Sequence, residues 1–128
     1  MKSLLTILLA FCTFTLFSQA RLGKTKREIL SEFSELAPET GYDSNRNSYI
    51  DVETTRAYVR YFIDPSSGLC NLTMILPKSQ AALNYYVELY NSRYVIISPT
   101  KWRMYTVEGS IAEVELLSQN ESSCFVWQ

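Results

Sequence analysis

The chain has 128 residues, is 47% hydrophobic and 20% charged, and carries a formal net charge of −1. It contains no histidine, which excludes a Ser-His-Asp triad, a Cys-His pair, a histidine-liganded zinc and a histidine pH switch. One domain is expected at this length, and the charge balance argues against nucleic acid or anionic membrane as the partner.

The first twenty residues read as a leader. Lys2 and the amino terminus supply positive charge, residues 4–17 (LLTILLAFCTFTLF) are uncharged and apolar, and Ser18-Gln19-Ala20 has the small–x–small form a signal peptidase accepts. The apolar run is too short to span a bilayer, which takes roughly 20 residues, so no transmembrane segment is expected after cleavage. Cys12 raises lipidation as an alternative. The bulky Phe11 before it and the apolar residues after it place Cys12 inside the signal core instead. Cleavage after Ala20 leaves 21–128 as one exported α+β domain, periplasmic or extracellular. It removes one lysine, so 12 basic groups fall to 11 against 13 acidic ones.

Residues 25–36 (TKREILSEFSEL) predict a helix. Thr25 and Glu28 have capping-box spacing, Ile29, Leu30, Phe33 and Leu36 share one stripe, and Pro38 ends it. Residues 38–47 (PETGYDSNRN) are rich in turn formers and read as a loop. Asp43, Asn45 and Asn47 have alternate oxygen side chains, as in a calcium loop. Arg46 within the run, Ser48 where glycine is needed and Thr54 where glutamate is needed favour an Asx-rich turn.

The pattern then switches to period two. Strands are predicted at 48–53, 55–63 and 69–76, the last two joined by a turn over 65–68. In the register that best segregates the faces, Ile63 faces Cys70, Tyr61 faces Leu72, Val59 faces Met74 and Ala57 faces Leu76, all inward. Arg56, Tyr58 and Arg60 then share the outward face with Phe62, and this cation–aromatic ladder is the candidate binding site, suited to a carboxylate, phosphate or sugar. An ordinary solvated sheet face is the alternative.

Residues 79–92 predict a second helix with Ser79 as N-cap, and Leu83, Tyr86, Val87 and Tyr90 form its apolar stripe. Strands follow at 94–98, 101–107, 110–117 and 122–127. A three-residue turn at 107–109, with Gly109 left-handed, pairs Arg103 with Glu113, Lys101 with Glu115, Trp102 with Val114 and Met104 with Ala112. The expected fold is α+β, with two helices on one face of a mainly antiparallel sheet in the order α-βββ-α-ββββ.

Cys70 and Cys124 remain after cleavage. A disulfide between them would close about 55 residues and contribute roughly 4 kcal/mol; two unpaired buried thiols are the other reading. Two cysteines without histidine offer too few ligands for a metal site, so neither metal nor cofactor is expected. Glu113 and Glu115 point the same way, as an acid–base pair would, but have cross-strand basic partners. Asn71-Leu72-Thr73 and Asn120-Glu121-Ser122 match the glycosylation triplet, with Asn71 outward. No catalytic residue is assigned.

The leader ending in Ser18-Gln19-Ala20, the helix Thr25-Lys26-Arg27-Glu28-Ile29-Leu30, and Tyr94-Val95-Ile96 followed by Lys101-Trp102 and a Tyr105…Glu108 hairpin resemble small exported proteins of unknown function from Gram-negative bacteria. The topology also resembles the repeat of the β-lactamase-inhibitor-protein class and related outer-membrane assembly lipoproteins. These resemblances imply an exported α+β fold and carry no activity. The expected role is non-enzymatic binding, with another envelope or extracellular protein as partner. Nine tyrosines suit a recognition surface, since tyrosine gives large contact area at low entropy cost. A carboxylate-based hydrolase and a structural envelope lipoprotein are the alternatives.

Overall fold

The computed structural model describes residues 20–106 and 109–128. Most of the expected leader, Cys12 included, and two residues of the 107–109 turn lie outside the described residues.

The chain forms helix α1 (Lys26–Glu32), a 3-10 turn (Ser34–Leu36), strands β1 (Glu39–Tyr42), β2 (Ser48–Glu53), β3 (Ala57–Ile63) and β4 (Cys70–Pro77), helix α2 (Gln80–Arg93), and strands β5 (Val95–Ser98), β6 (Lys101–Tyr105), β7 (Ile111–Gln119) and β8 (Ser122–Trp127). The eight strands make one sheet in the order β1-β2-β3-β4-β8-β7-β6-β5, every pairing antiparallel. The fold is therefore α+β, and the expected order is corrected to α-ββββ-α-ββββ. Each half is a helix followed by a four-stranded meander. The last strands of the two halves, β4 and β8, meet at the centre, and the first strands form the two edges.

The added strand is β1, inside the segment expected to be a loop. Its composition is that of a turn, but its backbone pairs with β2 from Glu39↔Asp51 to Tyr42↔Ser48. The turn itself is confined to the next few residues. There Asp43 Oδ1 accepts the backbone N–H groups of Asn45 at 2.9 Å and Asn47 at 2.8 Å, and Arg46 is left-handed at φ 63°. The Asx turn thus occupies this carboxylate oxygen with backbone donors. Gly41 sits under the Tyr49 ring: a Cβ there would fall 2.5 Å from the Tyr49 hydroxyl oxygen. Gly41→Val is expected to swing Tyr49 away and cost about 1 kcal/mol, a modest loss because the ring is flexible and edge positions are tolerant. A melting curve checks it.

Helix α1 is shorter than the predicted 25–36. The Thr25–Glu28 capping box forms as expected, but Phe33 leaves helical geometry and Ala37 turns left-handed at φ 49°. Helix α2 begins after its N-cap Ser79, which accepts from the Ala82 N–H at 3.1 Å. Both helices lie on one face of the sheet. From α1, Ile29 is fully buried and Phe33 stacks on Tyr61 at 5.7 Å. From α2, Tyr90 reaches Phe125, Trp127 and Trp102 at ring separations of 5.1, 5.5 and 5.6 Å. Trp102 Nε1 donates to Asn91 Oδ1 at 2.7 Å, and Trp127 Nε1 to the Tyr90 hydroxyl at 3.3 Å, so the buried indole donors are satisfied.

The β6–β7 register is the predicted one, Arg103↔Glu113 and Trp102↔Val114 included, with Gly109 left-handed at φ 86°. The β3–β4 register is corrected. Ile63 does face Cys70, but a bulge at Asn71 shifts everything beyond it, so that Tyr61 faces Thr73, Val59 faces Ile75 and Ala57 faces Pro77. Beyond the bulge, Thr73 and Ile75 are therefore the buried residues of β4, and Leu72, Met74 and Leu76 go to the opposite face.

The candidate disulfide is not formed, since Cys70 and Cys124 are both free thiols. Cys70 is buried beneath the helices, whereas Cys124 shares the other face with Val126. The β4–β8 register places Cys124 about six residues along the strands from Cys70, roughly 20 Å away, far beyond disulfide reach. Burial raises the pKa of both thiols.

Candidate functional site: the helix-free sheet face

With both helices on one side, the other face of the sheet has no covering element among the described residues. Strand alternation decides what it presents. Following the register across the strands, one row reads Asp51, Arg60, Met74, Val126, Glu115 and Lys101. Charged residues end this row on both sides and apolar ones occupy its middle. Apolar and aromatic residues also fill the middle of the neighbouring rows. Glu53 pairs with Tyr58 and Tyr58 with Leu76, while Tyr49 pairs with Phe62 and Phe62 with Leu72. Leu117 stands opposite Cys124. The result is an apolar strip over β4 and β8 between two ionic borders. Tyr58 is 54% exposed, Leu76 41% and Leu117 50%, while Met74 and Val126 at its centre are half-buried.

The borders are tightly paired. On one side, Arg60 donates from Nε and Nη2 to the two oxygens of Asp51 at 2.7 and 2.8 Å, and its guanidinium lies 3.8 Å from the Tyr49 ring centroid. The hydrogen bonds to Asp51 raise its pKa further. Beside it, Lys78 Nζ is 2.7 Å from Glu53 and 4.9 Å from the Tyr58 ring centroid. On the other side, Glu113 takes both cations. Lys101 Nζ reaches Oε2 at 3.0 Å, and Arg103 donates from Nε and Nη2 to Oε1 at 2.9 and 2.8 Å. Hydrogen bonds from Lys101 and then Arg103 hold the Glu113 carboxyl below the usual carboxylate range. Lys101 thus turns to Glu113 and not to Glu115, its expected partner. A carboxylate so stabilised is a poor proton donor at neutral pH.

The three residues of the expected ladder part company. Tyr58 and Arg60 stand on this face. Arg56 lies in the turn before β3, and its guanidinium stacks 3.9 Å from the ring centroid of Tyr85, on α2. Arg60 is held by Asp51 and Tyr49, so it borders the strip as a neutralised ion pair.

Met74 and Leu76 of the strip were not reachable from the alternation argument, because the bulge at Asn71 reverses the faces of β4, whereas Leu117 follows from the predicted β6–β7 register, on the face of Glu113 and Glu115. The signal for Met74 and Leu76 was the run LCNLTMIL itself, apolar at nearly every position with the one asparagine near its start. Such a strand serves two apolar faces. Asn71 and Asn120 are both exposed, Asn120 in a left-handed turn between β7 and β8. Among the described residues no helix is long and apolar enough to cross a membrane, and no group of three or more acidic or cysteine side chains is placed to hold a metal ion. Comparison of the chain with protein-family models, with curated proteins and with solved structures finds no match.

Proposed function

We propose that the chain is an exported, non-enzymatic recognition domain. Residues 1–20 act as a cleaved signal peptide, and residues 21–128 work in the periplasm or outside the cell. The helix-free sheet face is where it meets its partner, another envelope or extracellular protein. The observation that carries this reading is the uncovered apolar strip of Met74, Leu76, Val126 and Leu117 between paired ionic borders. Large exposed apolar patches with polar rims mark contact sites on small proteins. Strand spacing makes the whole face roughly 600 Å², close to the ~800 Å² per partner of a standard interface. Tyr58 and Phe62 add aromatic contact area of the kind that dominates binding energy. The acid–base pair of a hydrolase finds less support, since Glu113 is held ionised by two cations. The resemblance in layout to small exported proteins points to the same compartment.

The test is a photo-reactive residue at Met74, with a second at the exposed Glu88 on α2 as control, in the cell that makes the protein. An adduct of one defined protein from position 74 and none from position 88 is expected. Adducts from neither position, or equally from both, contradict the proposal.

A further inference from the structure

The described residues are packed against the sheet from the expected cleavage point onward. The Ala20 carbonyl accepts a hydrogen bond from Thr73 Oγ1, on a fully buried β4 residue. Arg21 is left-handed at φ 48° and buried, its guanidinium ion-paired with Glu32 of α1 and 5.5 Å from the Phe33 ring centroid. Next, the Gly23 N–H donates to the Cys70 carbonyl and the Cys70 N–H to the Lys24 carbonyl, each at 2.8 Å, and Thr25 bridges to Leu69. Residues 20–25 thus run as a short extra segment along the start of β4.

An endopeptidase takes its substrate extended, with the residues on both sides of the cut drawn into its cleft. Here that requires breaking the Thr73–Ala20 hydrogen bond, converting Arg21 from its left-handed conformation and pulling its guanidinium away from Glu32. Buried ion pairs are costly to break on one side, and cleavage of a folded segment follows the population of its open form.

We propose that the Ala20–Arg21 bond is a processing site that folding closes: a leader-removing endopeptidase hydrolyses it on the unfolded chain, and folding then draws the new terminus into the core. This rests on the export half of the reading above. Water adds across the bond, so that Ala20 leaves as a carboxylate and the Arg21 nitrogen becomes an ammonium at neutral pH. The Thr73 hydroxyl loses its carbonyl acceptor, and the new ammonium stands one bond from where that carbonyl carbon's oxygen was attached. The first residue of the processed protein is then a core residue, anchored by Glu32 and Phe33.

The experiment uses the full 128-residue chain in detergent micelles with a bacterial leader peptidase and follows intact mass. One arm is diluted directly from denaturant into the enzyme, and the other is refolded first. The unfolded arm is expected to yield a species beginning at Arg21, and the folded arm to react at least tenfold more slowly. Glu32→Gln, checked for folding by near-ultraviolet circular dichroism, is expected to speed the folded arm. Equal rates in both arms overturn the closure by folding and leave export standing. No cleavage in either arm overturns the export reading as well. Cleavage at another bond overturns the site, and a Glu32→Gln chain no faster than the parent overturns the role of the Arg21–Glu32 pair.

Discussion

Tyr90→Ala is expected to destabilise the protein by about 4 kcal/mol, the usual range for emptying a large buried site being ~3–5 kcal/mol. Tyr90 is fully buried, and its ring touches those of Tyr86, Tyr94, Trp102, Phe125 and Trp127, which come from α2 and its end and from strands β6 and β8. No neighbour is free to collapse into the space, because the surrounding groups are rigid rings fixed on separate elements. A domain of this size holds roughly 5–15 kcal/mol in all, so the loss takes much of its stability. Tyr90→Phe isolates the polar part. It keeps the ring and leaves the buried Trp127 Nε1–H without its acceptor, at about 1–2 kcal/mol. Urea unfolding of the three proteins checks both numbers. A Tyr90→Ala chain within 1 kcal/mol of the parent would mean that the second helix does not dock on β6 and β8 as described.

The protein is expected to unfold in alkali, with stability flat up to about pH 9 and falling steeply above 10. Burial pushes the phenols of Tyr61 and Tyr90 far above their ordinary value near 10, and raises those of Tyr86 and Tyr94 as well. The folded state therefore keeps protons that the unfolded chain releases once the pH passes the free phenol value. The stabilising contribution is complete below pH 10 and is lost as pH rises toward the folded values. Each group is worth about 1.4 kcal/mol per pH unit in that window, so Tyr61 and Tyr90 together remove roughly 2–3 kcal/mol by pH 11. The Cys70 thiol, raised by burial, begins the decline about a unit earlier. Urea midpoints from pH 8 to 11 test this. A midpoint unchanged through pH 11 would place these phenols in contact with water.

The sequence periodicity carried most of the fold because most strands here have one apolar and one polar face. Strands 48–53 and 122–127 form with their expected boundaries, and the Lys101–Glu115 hairpin with its expected pairing, where both faces constrain the register at once. What was illegible has local causes. β1 has the composition of a turn and owes its extended form to β2, a tertiary partner. The bulge at Asn71 inserts one residue into a strand that is apolar on both faces, so polarity alone does not locate it. That single residue moves Met74 and Leu76 from the expected core to the open face and so sets the character of the candidate site. Arg56 was placed with Tyr58 and Arg60 by counting in twos. The count fails because Arg56 precedes the strand and its guanidinium is taken by Tyr85. The pairing of Cys70 with Cys124 was suggested by number alone, and the register keeps the two apart.

The claim that the helix-free face is a contact surface is tested most directly by charging its apolar strip. A chain carrying a photo-reactive residue at Tyr58 is compared with the same chain bearing Met74→Asp and Leu117→Asp. Both side chains are at least partly open to solvent, so the double variant is predicted to stay folded, within about 1 kcal/mol of the parent per site, while the adduct yield falls at least tenfold. An undiminished adduct would contradict the account, and so would unfolding of the double variant, which would make the strip part of what holds the fold together.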